Sequence, residues 1–140
     1  MDDTARMGET ENMIWDMNQC WTAGWHEEQF RQYIHPHAVA IVPTNPGWLE
    51  GRDAYRAGWR SFTQAVVIHE WRETYHKVQI YTSGKSAVVT YVFSITFARG
   101  RGRQSMQGRD MVFLVKEGGR GLVAADQFSP NPPQAVSAGS

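Results

Sequence analysis

The stretch that decides the fold is "GRDMVFLVKEGGRGLVAADQFSP", Gly108 to Pro130. The glycine-rich "EGGR" in its middle reads as a turn between two strands. Before the turn, Asp110, Val112 and Leu114 alternate and so share a face. After it, Leu122, Ala124, Asp126 and Phe128 do the same. Each strand therefore carries one carboxylate on its apolar side. If Lys116 pairs with Leu122, then Val112 faces Asp126 and Asp110 faces Phe128. The two carboxylates are then one diagonal step apart, at about 7–8 Å or a little less.

Upstream of this hairpin, period-two patterning continues. Val67 to Tyr81, Ser86 to Ala98, Gln104 to Lys116 and Leu122 to Ser129 all read as strands. The first loses its alternation near Tyr75–Val78, which predicts a bulge or bend. The second puts Val89, Tyr91, Phe93, Ile95 and Phe97 on one face. The turns "TSGK", "RGRG" and "EGGR" all carry glycine. Earlier still, the period is helical. Met7 to Ala23 presents a stripe of Met13, Met17 and Cys20, widened by Ile14 and Trp21 and ended by Gly24. Glu27 to Tyr33 reads as a short helix stopped by Pro36, and Ala38 to Val42 as a short strand. "PTNPGWLEGR" is a loop. Asp53 is placed to cap a helix running to about Ala65, with Tyr55, Trp59, Phe62 and Val66 on one face. Helices first and long strands after is an α+β order, and a bent sheet around helices leaves a cavity at its open end. The expected organisation is a flexible N-terminus over residues 1–6, one domain over 7–130, and a flexible tail over 131–140.

Composition narrows the function. The chain of 140 residues is 41% hydrophobic and 12% aromatic, which fits one packed domain. It has 14 basic and 14 acidic residues, so no global field favours nucleic acid or an anionic membrane. Cys20 is the single cysteine, so neither an internal disulfide nor a cysteine zinc cluster can form. The polar, acidic "MDDTARMGET" is unlike a signal peptide, and no apolar run is long enough to span a bilayer. A soluble, cytoplasmic protein is expected.

Four blocks, "YIHPHAVAIVP", "LEGRDAYRAGW", "SGKSAVVTYVF" and "GRDMVFLVKEGGRGLVAADQFSP", resemble the SnoaL-like branch of the nuclear-transport-factor-2-like superfamily. The resemblance covers roughly residues 7–130. It implies a cone, with a curved antiparallel sheet wrapped around three N-terminal helices, and a homodimer formed through the outer sheet face. That superfamily holds isomerases, cyclases, epoxide hydrolases, dehydratase subunits and non-catalytic association domains, so the fold does not settle function. The family commonly has a Trp after the final turn, where this chain has Gly121. The ketosteroid-isomerase branch has a carboxylate base where this chain has Val42, and a phenol near Met17. Both are missing here. The association-domain branch has basic pocket residues where Phe93, Val112 and Phe128 stand. The comparison makes Tyr91, Phe93, Val112, Asp126 and Phe128 cavity-facing, and SnoaL-like cyclases use a pocket Asp on a late strand as acid/base.

The expected chemistry follows. Burial and a neighbouring carboxylate both raise the pKa of an Asp, which suits Asp126 for proton transfer at neutral pH with Asp110 modulating it. Trp59, Tyr91, Phe93 and Phe128 would hold a flat apolar carbonyl compound, with Met17 and Val112 completing the wall and Tyr33 and His35 at the mouth. The reading is a lyase, isomerase or cyclase that needs neither cofactor nor metal. The alternative is a non-catalytic ligand-binding or association module, with Asp126 simply tied to Arg109, Arg52 or a Trp N–H. His35 and His37 on one side of a strand suit a metal, but two ligands do not make a site. "ARGRGR", Ala98 to Arg103, reads as a solvated hairpin tip rather than a phosphate contact.

Overall fold

The computed structural model describes residues 3–132. The expected tail over 131–140 lies outside the described residues from 133 on. Helix α1 runs Asp3–Thr22, so it begins inside the stretch expected to be flexible. Then come α2 (Glu27–Arg31), β1 (Ile34–Ile41), β2 (Leu49–Glu50), α3 (Arg52–Ala65), β3 (Val67–Tyr81), β4 (Ser86–Arg99), β5 (Gly102–Glu117) and β6 (Arg120–Pro130). One six-stranded sheet has the order β2-β1-β6-β5-β4-β3. Its pairings are antiparallel except β1 with β6, which is parallel, so the sheet is mixed. This is the α+β cone.

The helices form as their patterning dictates, with two local differences. Gly51, at φ 90, is the N-cap of α3, and no side chain caps that end. Asp53 instead lies in the first turn, 3.6 Å from Arg56, where its charge still favours the helix dipole. Pro36 does not stop the chain short of the sheet; it lies within β1, whose register against β6 shifts between Ile34 and Val39. A proline has no N–H for the ladder, so a strand accepts it at such an irregularity.

The core is the concave face of the sheet packed on the helices. Along β4 every second residue from Ala87 to Phe97 is buried. The α1 stripe of Ile14, Met17, Cys20 and Trp21 is buried as expected, and it also contains Asn18. In β3 the bend falls where the alternation slips, between Thr74 and Lys77, and Tyr75 there has φ 56.

The β5–β6 hairpin is the informative case. Lys116 pairs with Gly121, not Leu122. Leu114 then pairs with Val123 and Phe113 with Ala125, leaving Ala124 as an extra residue. This bulge reverses the parity of the strand. Val123, rather than Leu122 or Ala124, enters the core above Asp126 and Phe128. Beyond the bulge, Val112 faces Asp126 and Asp110 faces Phe128, as the sequence predicts.

Gly108 fixes how closely these strands meet the core. A Cβ there would stand 2.5 Å from the Ser129 carbonyl oxygen and 2.8 Å from Phe93 Cζ. Neither can withdraw easily, since one is backbone and the other a packed ring. Gly108→Ala is expected to lower the unfolding free energy by about 1–3 kcal/mol in urea denaturation, the usual effect of overpacking.

Candidate active site

The two carboxylates meet inside the protein. Asp110 and Asp126 are 1% and 3% exposed, on neighbouring strands β5 and β6. Each is held by a phenol. The Tyr55 hydroxyl, from α3, donates to Asp126 Oδ2. The Tyr91 hydroxyl, from β4, donates to Asp110 Oδ2 at 2.5 Å. The remaining oxygens, Asp110 Oδ1 and Asp126 Oδ1, are buried with no other partner. The two carboxyls lie one diagonal step apart on paired strands, close enough for each to bear on the other's charge. A proton held on one of them relieves the cost of two adjacent buried negative charges.

The electrostatics agree. Burial, and then the charge of Asp126, hold the Asp110 carboxyl well above the usual carboxylate range. Asp126 is also raised by burial, while hydrogen bonds from Asp110 and Tyr55 oppose the rise. The pair therefore holds a proton more tightly than a solvated carboxyl does. Burial and the adjacent aspartates push both the Tyr55 and Tyr91 phenols far above their ordinary value, so neither ionises at neutral pH.

A second layer supports this dyad. Asn18 Nδ2 donates to the Tyr91 oxygen at 3.1 Å and to Glu73 Oε2 at 3.0 Å. The indole N–H of Trp21 donates to Asn18 Oδ1 at 3.0 Å, and that of Trp71 to Glu73 Oε2 at 2.7 Å. His76 Nε2 lies 3.0 Å from Glu73 Oε1, and its ring stacks on Tyr91. Sequence reading overlooked Asn18, Glu73 and the Tyr55 hydroxyl. A signal existed for two of them. Asn18 falls four residues after Ile14 and three before Trp21, within the buried stripe. Tyr55 was placed on the correct helix face but read only as a ring.

In front of this network is a cavity of about 270 Å³. Trp59, Phe93 and Phe128 line it, joined by Trp21, Trp71 and Phe97. Trp21 stacks on Trp59 with ring centres 4.2 Å apart, and Trp71 stacks on Phe93 at 5.5 Å. Tyr55 also lines the cavity. Asp126, Asp110 and Tyr91 are not on its wall but behind it, and Met17 and Val112 are core residues away from it. Arg99 and Gln104, beside the β4–β5 turn, line it too, so part of the basic hairpin tip belongs to the cavity.

Tyr33 and His35 do not reach this place. Tyr33 lines a separate cleft at the other end of the strands. His35 Nε2 is 3.0 Å from Glu117 Oε1 and its Nδ1 accepts the His37 N–H, so both ring nitrogens are engaged. The partner of Asp126 is a phenol, not Arg109, Arg52 or an indole.

A group whose pKa is higher in the folded than in the unfolded chain binds more protons when folded between the two values. Stability then falls as pH rises through that window, which opens near the ordinary value of 3.8. Asn at position 110 would keep an acceptor for Tyr91 and offer an amide N–H to Asp126 without the ionisation. Asp110→Asn is therefore expected to gain stability relative to wild type as pH is raised, with a slope of up to about 1.4 kcal/mol per pH unit for one proton. Urea denaturation across a pH series measures it. A difference independent of pH would mean that Asp110 ionises like a solvated carboxylate.

Comparison with known proteins places the fold. No curated protein sequence matches the chain. Among solved structures, a nuclear transport factor 2-like superfamily protein from Salmonella enterica aligns over 99% of this chain and 100% of its own, with 15% identity and a TM-score of 0.79. A ketosteroid isomerase-like protein from Erwinia carotovora atroseptica aligns over 88% and 94%, with 15% identity and a TM-score of 0.73. The association domain of CaMKII from C. elegans aligns over 90% and 96%, with 15% identity and a TM-score of 0.71. At such identities these likenesses concern the fold. The SnoaL-like domain family matches residues 16–121, most of the chain, and the protein belongs to that family.

Proposed function

We propose that the protein is a cofactor-independent lyase, isomerase or cyclase that moves a proton on a flat, apolar, polyketide-like carbonyl compound. The observation that carries this reading is Tyr55: it lines the aromatic cavity and donates its hydroxyl proton to a buried carboxyl dyad behind it. The cavity holds the substrate by its ring faces. Trp21 and Trp71 turn their N–H groups away into the supporting network, so they present π surface and no donor. Water is excluded from an apolar space of this kind, which strengthens the few polar interactions within it.

The reacting group is the Tyr55 oxygen. As a C–H bond beside the substrate carbonyl breaks, its proton passes to that oxygen. The original hydroxyl proton passes at the same time to Asp126, and the electron pair is left on the substrate as an enolate. Return of a proton by the same route to another carbon completes an isomerisation. The concerted shift avoids a free phenolate, which the burial of Tyr55 strongly disfavours. Asp126 acts through Tyr55 as proton acceptor, and the charge state of its neighbour Asp110 sets how readily it takes one.

A second reading, a non-catalytic ligand-binding or association module, draws on two observations. The aspartates sit behind the cavity wall rather than on it. The outer sheet face exposes Val39, Ile41, Met111 and Phe113 together on β1 and β5, next to Trp48. Such a patch fits a homodimer with a second copy of this chain.

The two readings separate experimentally. Deuterium uptake at the carbons beside the carbonyl of 1-indanone and 2-tetralone, followed by NMR in heavy water, is expected to exceed the buffer rate. Tyr55→Phe and Asp126→Asn should each slow it by about 10²–10⁴-fold, with the far-ultraviolet dichroism unchanged. Uptake at the buffer rate, or full activity in Tyr55→Phe, would remove the catalytic reading. Met111→Glu combined with Phe113→Glu is expected to convert a dimer to a monomer in sedimentation velocity. A wild-type monomer would remove the outer face from the account.

A further inference from the structure

We propose that the cleft at the opposite end of the strands is a second binding site, for an organic carboxylate with an apolar stem. The cleft encloses about 270 Å³ between the start of α1, the β3–β4 turn and the β5–β6 hairpin. Its charge is one-sided. Among the described residues, Arg6, Lys85, Lys116 and Arg120 line it, against one carboxylate, Glu9.

Lys85, Lys116 and Arg120 are crowded and solvent-exposed, so their mutual repulsion is screened but not removed. The Lys116 N–H donates to the Lys85 carbonyl oxygen at 2.8 Å, extending the Ser86–Val115 register by one residue. The two lysines are therefore direct cross-strand neighbours. Both line the cleft together with Ala87 and Leu114, which are buried. Like charges placed opposite one another destabilise a sheet. Among the described residues, Lys85, Lys116 and Arg120 have no ion pair with any carboxylate. A bound anion would relieve this repulsion and gain charge-assisted hydrogen bonds from three donors.

Two further features shape the site. The turn beside Lys85 is strained: Thr82 and Ser83 both have φ 53, a left-handed conformation that side chains disfavour. Gly84 completes it at φ 85, and a Cβ there would come within 2.8 Å of Arg6 Nε. The glycine thus allows the Arg6 side chain to lie against the turn at the cleft edge. Beneath the charges the floor is apolar, formed by Met13, Ile80, Ala87 and Leu114. A bare phosphate would leave that floor unused. A carboxylate on a short hydrocarbon stem uses both parts.

The test is titration of the full-length protein with octanoate, acetate and inorganic phosphate, followed by amide and indole NMR shifts. Octanoate is expected to shift the amides of Lys85 and of residues 116–121. It should bind at least about tenfold more tightly than acetate or phosphate, with affinity falling as salt is raised. Lys85→Gln and Lys116→Gln should each weaken it several-fold, and the double variant by about tenfold or more. Unchanged affinity in the double variant would overturn the proposal, as would shifts confined to the Trp59 indole, which report the aromatic cavity. Phosphate binding as tightly as octanoate would overturn the choice of an organic carboxylate.

Discussion

Two carboxyls buried side by side resist ionising together, and much of the interior is arranged around that constraint. Asp110 and Asp126 come from adjacent strands and cannot both ionise. Each is therefore given a phenol on one oxygen, Tyr55 for Asp126 and Tyr91 for Asp110. Those phenols belong to α3 and β4, and the Tyr91 oxygen is reached in turn by Asn18 of α1. Asn18 also bonds Glu73 of β3. Hydrogen bonds thus tie α1 to β3 and β4 and β4 to β5, and separately α3 to β6. Unlike apolar packing, which tolerates sliding, such a network fixes register and orientation, because a displaced member leaves a buried polar atom unpaired.

The network also determines what the aromatic cavity is. Tryptophans are awkward wall residues because each carries a donor that needs a partner. Here Trp21 and Trp71 satisfy theirs on Asn18 and Glu73. The polar ends face the network and the ring faces meet the cavity. The result is an apolar space bordered by tyrosine, with acid/base capacity one hydrogen bond behind its wall.

The two ends of the strands are chemically unlike. One end is aromatic and holds a single cation, Arg99, among the residues around it. The other is ringed by cations over a small apolar floor. The neutral total charge of the chain hides this asymmetry, since it averages over the surface. A field that matters to a small ligand is set by the charges within about a Debye length of it, not by their sum over the protein.

Local sequence determined which elements form and which face each residue takes. Period-two alternation put Tyr91, Phe93 and Asp110 inward, and the glycine turns set the strand limits to within a few residues. It also brought Asp110 and Asp126 together, although by a pairing that was one residue off at the turn. The bulge at Ala124 absorbed that offset, and it depends on how β6 packs between β5 and β1. Tertiary structure alone decided that Tyr55 is the partner of Asp126, across 71 positions of sequence. It alone moved Tyr33 and His35 to the far end and set the two cation-bearing turns beside α1. Periodicity is a property of a few neighbouring residues and can be read from them. The identity of what stands opposite is fixed only when separate elements pack, and no local pattern carries it.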